Sequence, residues 1–250
     1  MSQDEFSDQT ADETASAEDP SADPRLETQR RILAAAMPSV PFDGWSEATL
    51  EQAIEDAGVD SFAAKLAFPR GAVDLALFFH REGDRQMLER LAAADLSSMR
   101  IREKVAFAVR TRLEIIAPHR EAVRKGAALY ALPIYAADGA QAVWETADHI
   151  WTALGDPSDD LNWYTKRAIL SGVYGSTVLY WLGDESLGSE NTWAFLDRRI
   201  EGVMRFESLK RAVNDNPLGR LLMTGPNWLA SRVRKPGAPV DTGTPVDLPG

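Results

Sequence analysis

Asp159-Asp160-Leu161-Asn162-Trp163-Tyr164-Thr165-Lys166-Arg167, running on through an uncharged segment from Ala168 to Leu182, is the stretch whose reading decides the fold. The two aspartates suit a helix start, because carboxylates accept the orphan amide hydrogens of a first turn and face its positive dipole end. Beyond Arg167 no charge occurs until Asp184, so the second half reads as a helix buried on most sides. At 100° per residue, Ser171, Gly172, Gly175 and Ser176 form one stripe of small side chains, and Leu170, Val173, Tyr174, Val178 and Trp181 point elsewhere. Such a groove admits two readings, close approach of another helix or room for a ligand between helices. The sequence leaves both open.

Around that helix, composition sets limits. A chain of 250 residues with 44% hydrophobic content is long enough to bury a core. With no cysteine it has no disulfide, thiolate nucleophile or cysteine-bound metal, which fits a reducing compartment. It opens on polar and acidic residues without the apolar core of a secretory signal, and its longest uncharged run, Ala168 to Gly183, is shorter than the roughly 20 residues of a spanning helix. A net charge of −11 argues against nucleic acid as the main partner, since cations supply most of that affinity.

Charge and proline divide the chain. Residues 1–24 carry eight Asp or Glu and no Lys or Arg, and residues 236–250 hold four prolines and three glycines; both tails are expected to be disordered. Between them apolar residues recur at helix spacing with no useful strand alternation, so the folded part is expected to be all-α. The expected divisions are a helix-turn-helix-like module at 25–80, a larger bundle at 81–207 and an amphipathic segment at 208–235.

In the first module a helix is expected from Leu26 to Met37, then a loop, then one after Ser46 that Gly58 closes, then a short one capped by Asp60. With Arg31-Ile-Leu-Ala-Ala-Ala36, the Gly44-Trp45 turn and Ala57-Gly58-Val59, this outline resembles the amino-terminal module of TetR-type repressors. The surface chemistry opposes DNA binding. Residues 41–80 hold seven Asp or Glu against Lys65 and Arg70, and the supposed recognition helix reads Ser61-Phe-Ala-Ala-Lys-Leu-Ala-Phe68. Val73 to His80 is expected to link module and bundle, with Leu88 to Leu96 continuing it or starting anew. Further helices are expected at Ile101–Ile116, from Glu121 to Pro133, at Ala140–Leu154 and at Asn191–Phe206, and the tryptophans among them read as core fillers.

The segment Pro217 to Lys235 differs from everything before it. Leu218, Leu221, Leu222, Trp228, Leu229 and Val233 share one side of a helical wheel, Arg220, Arg234 and Lys235 lie off it, and no acid occurs from Asn216 to Gly237. A basic amphipathic helix of this kind suits the surface of an anionic membrane better than docking on the bundle. Gly225-Pro226 kinks or splits it.

Catalytic constellations are scarce. His80, His119 and His149 are scattered, no phosphate-binding loop or nucleophile elbow is present, and His149 beside Asp148 reads as a surface ion pair before it reads as a general base. No metal or cofactor is expected.

Asp160-Leu-Asn-Trp-Tyr-Thr-Lys-Arg167, together with Gly44-Trp45, Arg112-Leu-Glu-Ile-Ile-Ala-Pro118, Leu132-Pro133 and Asn191-Thr-Trp-Ala-Phe-Leu-Asp-Arg-Arg199, resembles the ubiquinone-biosynthesis accessory family known as the ninth coenzyme Q protein. The resemblance implies a TetR-like all-α fold without DNA binding, usually homodimeric, with no catalysis of its own. Such proteins bind polyprenyl quinone intermediates and present them to the di-iron demethoxyubiquinone hydroxylase at the membrane. On this resemblance the lipid pocket would involve Leu113, Ile116, Leu129, Leu170, Val173, Tyr174, Gly175 and Val178. The hydroxylase-facing patch would be Asp148, Ile150, Asp160, Asn162, Trp163, Tyr164 and Arg167, and the helix Leu218 to Val233 would dock on the membrane. The implied location is cytoplasmic, peripheral on the inner face of the inner membrane, or on the matrix side in an organelle. The competing class is a TetR-type ligand-sensing regulator, and a remote third is an enzyme built on His149.

Overall fold

A computed structural model describes residues 23–159 and 161–214, and side chains through Gly202. The expected tails, most of the segment 208–235 with all its membrane-facing residues, and Asp160 lie outside the described residues. Among those described there are ten α-helices and no strand, so the all-α expectation holds. They are α1 Pro24–Ala36, α2 Val40–Asp43, α3 Glu47–Asp56, α4 Ser61–Ala67, α5 Ala72–Ala93, α6 Ile101–Ile116, α7 Arg120–Tyr130, α8 Ala136–Ala153, α9 Leu161–Gly183 and α10 Glu190–Asn214.

At Ser46, Gly58 and Asp60 the caps expected from sequence are the caps observed. The Ser46 side chain accepts the Thr49 amide, and Asp60 accepts those of Phe62 and Ala63. Gly58, at φ +59°, ends α3 in a Schellman turn in which Val59 N–H reaches the Ile54 carbonyl at 3.1 Å. A second glycine fastens α3 to α5. Gly71 leaves its Cα bare against the Glu47 carboxylate, which accepts the Ala72 amide at 2.9 Å and so caps α5 from α3.

α1, α3 and α4 pack around Ile32, Leu33, Leu50, Ala64 and Phe68, and the bundle closes around Met87, Val109, Leu113, Ile150, Leu170 and Trp181. The expected linker is one 22-residue helix: α5 gives Leu75 and Phe78 to the first core and Met87 and Leu91 to the second. It runs unbroken through Arg81-Glu-Gly-Asp84, where buried Gly83 and Asp84 keep the inward face going between Phe78 and Met87. Trp45 ties the first core to α7, donating its indole N–H to the Ala122 carbonyl at 2.9 Å.

Three expectations need correction. The loop after α1 contains a helical turn, Val40–Asp43, started by Pro41 near its N-terminus and closed by Gly44 at φ +72°. α9 is not buried on most sides: Ala168, Gly172, Leu179 and Tyr180 are exposed, so lack of charge marks an apolar outer face as well as a core. Ile101–Ile116 is expected as an amphipathic helix with Arg and Glu between its apolar positions, yet Arg112, one of those charges, is 1% exposed.

Candidate functional site

α9 contributes to two separate apolar cavities within the bundle. The larger, about 540 Å³, lies among α5, α6, α7, α8 and α9 and is lined on α9 by Ser171, Tyr174, Gly175, Val178 and Leu179. That volume falls in the ordinary range of about 300–1,000 Å³ for small-molecule sites. It exists because the helices facing α9 are poor in side-chain bulk: Ala122, Gly126, Ala127, Gly139 and Ala140 bring little more than backbone. Gly175 is not forced by a helix contact, since a Cβ there would stand 3.8 Å from Val143 Cγ1, an ordinary separation, and one on Gly172 would meet nothing within 4 Å. The stripe of small residues therefore splits, Ser171 and Gly175 to the cavity and Gly172 to solvent.

At one side the apolar wall gives way to a buried polar cluster. Asp84 of α5 holds Arg112 of α6 through Nε at 2.6 Å, accepts the Thr146 hydroxyl of α8 at 3.0 Å and faces His149 Nδ1 at 3.3 Å. Arg112 Nη2 donates to the His80 carbonyl at 2.8 Å, and His80 Nε2 lies 2.8 Å from Thr146 Oγ1. Gly83 makes room, because a Cβ there would fall 2.6 Å from Arg112 Nη1. Burial alone would raise the Asp84 carboxyl, yet the hydrogen bond from His149 and the charge of Arg112 hold it at about 2. Burial beside Arg112 pushes His80 down to about 4, so its ring is neutral at pH 7. His149 is raised by its bond to Asp84, and burial raises the Tyr174 phenol. The pairing expected between His149 and Asp148 is not made; the α8 twist turns His149 inward to Asp84 and leaves Asp148 to α9.

The smaller cavity, about 370 Å³, is bounded by Ile101 and Val105 of α6, Trp151 of α8, Ile169 and Leu170 of α9, and Ile200 of α10. Its rim is the loop after α8, where Asp156 accepts Lys166 Nζ at 2.6 Å and Arg167 Nη1 at 3.2 Å. Arg167 also binds Asp148 and lies 3.9 Å over the Trp163 ring. Trp163 in turn meets Trp144 at 6.1 Å and Tyr164 at 4.8 Å between centroids.

The lipid-site residues implied by resemblance are thus divided. Ile116, Tyr174, Gly175 and Val178 line the larger cavity, and Leu170 and Val173 line the smaller one. Leu113 is wholly buried in the bundle core, and Leu129 packs where the first core meets Val73 and Ala142; neither lines a cavity. In the proposed partner patch, Ile150 and Arg167 are corrected from surface to interior, at 0% and 2% exposure. Ile150 faces the bundle core, and Arg167 clamps α8 to α9 through Asp148. Asp148, Trp163 and Tyr164 are half-buried, and Asn162 is exposed. Sequence reasoning passed over Asp84, His80, Thr146 and Tyr130 as site residues, and placed Ser171 only in the stripe of small side chains. The available signal was the His80–Asp84 spacing on an apolar helix beside Gly83.

In the helix-turn-helix module, α4 turns Phe62 and Leu66 outward, at 71% and 54% exposure. Its one cation, Lys65, bonds the Pro69 carbonyl at 2.9 Å.

The architecture has a solved counterpart in a TetR transcriptional regulator from Nitrosomonas europaea, at TM-score 0.57 over 72% of this chain and 97% of that one; at 19% identity the likeness is one of fold. Residues 136–207, from α8 into α10, match the COQ9 family model. The rat mitochondrial ubiquinone biosynthesis protein COQ9 is 31% identical over 79% of this chain, which spans 64% of that protein's length; for the human protein the figures are 30%, 79% and 63%. The Xenopus laevis protein COQ9-B is 31% identical over 80% of this chain and 68% of its own length. A TetR-like bundle that matches the family model from α8 into α10, and whose likeness to COQ9-B extends over four fifths of the chain, belongs to the COQ9 family.

Proposed function

We propose that this protein is a non-catalytic lipid-binding accessory factor of ubiquinone biosynthesis, which holds polyprenyl quinone intermediates and presents them to a di-iron demethoxyubiquinone hydroxylase at a membrane surface. The larger cavity carries the reading: an apolar chamber of about 540 Å³ that small residues of α7, α8 and α9 keep open. Relatives named for ubiquinone biosynthesis support the pathway. A polyprenyl chain gains about 0.8 kcal/mol per methylene buried, so it leaves a bilayer only for a comparably apolar interior. Among the described residues no helix is long and apolar enough to cross a membrane; the amphipathic residues from Leu218 to Val233 would supply a peripheral contact. The uncharged outer face of α9, where Tyr180 stacks on Phe195 at 4.4 Å, supports a homodimer. A DNA-binding regulator is disfavoured by the apolar, cation-poor outer surface of α4.

The test is to extract the purified protein with organic solvent and identify the lipid by mass spectrometry. An isoprenoid quinone or its precursor is expected, and Gly175→Leu should lower lipid per folded molecule with little change in melting. A protein that carries no lipid and takes none up from quinone-bearing vesicles would sink the reading. For the hydroxylase, Asn162→Arg is a cleaner probe than a change at Trp163, which also packs on Arg167; an unweakened complex would move the contact elsewhere.

A further inference from the structure

The helix-turn-helix module carries a surface that the lipid chamber does not use. α4 holds Phe62 and Leu66 one turn apart on its outer side, at 71% and 54% exposure. A single exposed apolar residue is ordinary, but two side by side on one helix leave a patch of apolar area in water unless something covers it. In a helix-turn-helix the second helix presents that side to its partner and the first runs across it, so the solvent side of α3 borders the same surface. There Glu51 and Glu55 stand four residues apart, both exposed, and neither is in an ion pair with a described residue. Like charges at that spacing repel. The cations of the module are already engaged: Lys65 donates to the Pro69 carbonyl at 2.9 Å, Arg31 to the Ala57 carbonyl at 2.6 Å, and Arg70 pairs with Asp74 and Asp138. Where a nucleic-acid binder sets cations to meet phosphates, this surface sets carboxylates beside an apolar centre.

The helix directions say which way this surface points. α6 begins at Ile101, in the wall of the smaller cavity, and ends at Ile115 and Ile116, in a cleft shared with Leu33 and Met37 of α1. α10 runs the other way. Before it starts, the Asp184 carbonyl accepts Arg120 Nη2 at 2.5 Å, two residues from the Ala122 that holds Trp45, and by Ile200 the helix has reached Ile101. It therefore ends on the side of the bundle away from α4, and the membrane contact proposed above follows from that far end. The uncharged face of α9 supports the second copy, which leaves α4 turned toward neither. We propose that the outer side of α4, bordered by Glu51 and Glu55 of α3, is a docking surface for a cationic amphipathic helix of a partner protein, whose apolar residues cover Phe62 and Leu66 and whose Lys or Arg side chains meet the two glutamates. A surface one helix wide belongs with small, transient contacts, with a Kd of about 10–100 µM.

The experiment follows the fluorescence anisotropy of a labelled synthetic peptide, roughly 18 Leu and Lys residues in amphipathic helical order, titrated with the full-length protein. Two control peptides have the same composition in scrambled order, or Glu in place of every Lys. Wild type should bind the amphipathic cationic peptide at least about ten-fold tighter than either control. Phe62→Ser with Leu66→Ser should weaken that binding by about ten-fold or more, and Glu51→Lys with Glu55→Lys should weaken it and flatten its dependence on salt. All four positions are exposed, so melting and the lipid carried per molecule should stay as in wild type, which separates this surface from the lipid chamber whatever becomes of that reading. Unchanged affinity in both double variants would overturn the proposal and place the binding on another acidic part of the chain, such as residues 1–24. Equal binding of the scrambled peptide, or tighter binding of the acidic one, would overturn it too. Flotation with vesicles of phosphatidylcholine and phosphatidylglycerol, and sedimentation of the protein alone, test the other occupants. If Phe62→Ser with Leu66→Ser abolishes vesicle binding or self-association, α4 meets a membrane or a second copy and the partner helix is ruled out.

Discussion

The two cavities that share α9 make their ion pairs differently. Beside the larger one, Asp84 and Arg112 are both 1% exposed, and Asp84 is the one carboxylate paired with Arg112 among the described residues, while His149 also bonds Asp84. At the rim of the smaller one, Asp156 is held by two cations, Lys166 keeps 29% of its side chain in water, and Arg167 has Asp148 in reserve. The same chemistry therefore has different consequences. A charge that can turn to water or to a second partner survives loss of the first; one sealed among helices does not.

The largest effect should come from the sealed pair. Asp84→Ala strands Arg112 in the interior and is expected to cost about 3–5 kcal/mol in chemical denaturation, with Asp84→Leu and Arg112→Met together recovering most of it. A loss under about 1 kcal/mol would mean that the cluster opens to solvent and that the contrast between the cavities is wrong.

Acid should search out the same cluster. His80 titrates near 4 when folded and near 6.5 when unfolded, so the unfolded chain takes the proton first and stability falls as pH drops from about 6.5 to about 4. A displacement of that size is worth about 3 kcal/mol at most, and the raised value of His149 works against it. His80→Gln should flatten the pH dependence of melting over that window; an unaltered profile would place the titration elsewhere. Asp84, held at about 2, contributes stability that is lost as pH falls from the ordinary carboxylate value of 3.8 toward about 2.

For the smaller cavity, Asp156→Ala should cost about 1–2 kcal/mol, since Arg167 keeps Asp148 and Lys166 moves into water. A cost equal to that of Asp84→Ala would erase the distinction. Smallest of all, Gly172→Ala should raise stability by about 0.5–1 kcal/mol, because that glycine lies mid-helix with nothing within 4 Å of its would-be Cβ. A loss would show that another molecule covers this face of α9.

Helix starts and stops were legible in the sequence, because caps act through atoms two or three residues away: Ser46, Asp60 and Gly58 stand where their chemistry requires. So was the lack of a basic face on α4. The site was legible only in part. Gly175, from the stripe of small residues, and Tyr174 beside it do line a cavity, but Leu170 and Val173, on another face of the same helix, open into another. Ile150 and Arg167 show the same limit in reverse, since a motif marks residues that matter without saying whether they face a partner or the interior.

By itself, then, the sequence determined that this chain makes helices, where most of them begin and end, and that its charge suits no polyanion, since these depend on local bonds and on composition. Tertiary structure alone decided which charges go inside and which polar atoms stay unpaired. Asp84 meets Arg112 across 28 residues, and Thr146 and His149 across 62 and 65. Helical periodicity gives each of those side chains an angle on its own helix; only the packing of α5, α6, α8 and α9 against one another determines whether that angle faces water, a partner or a cavity.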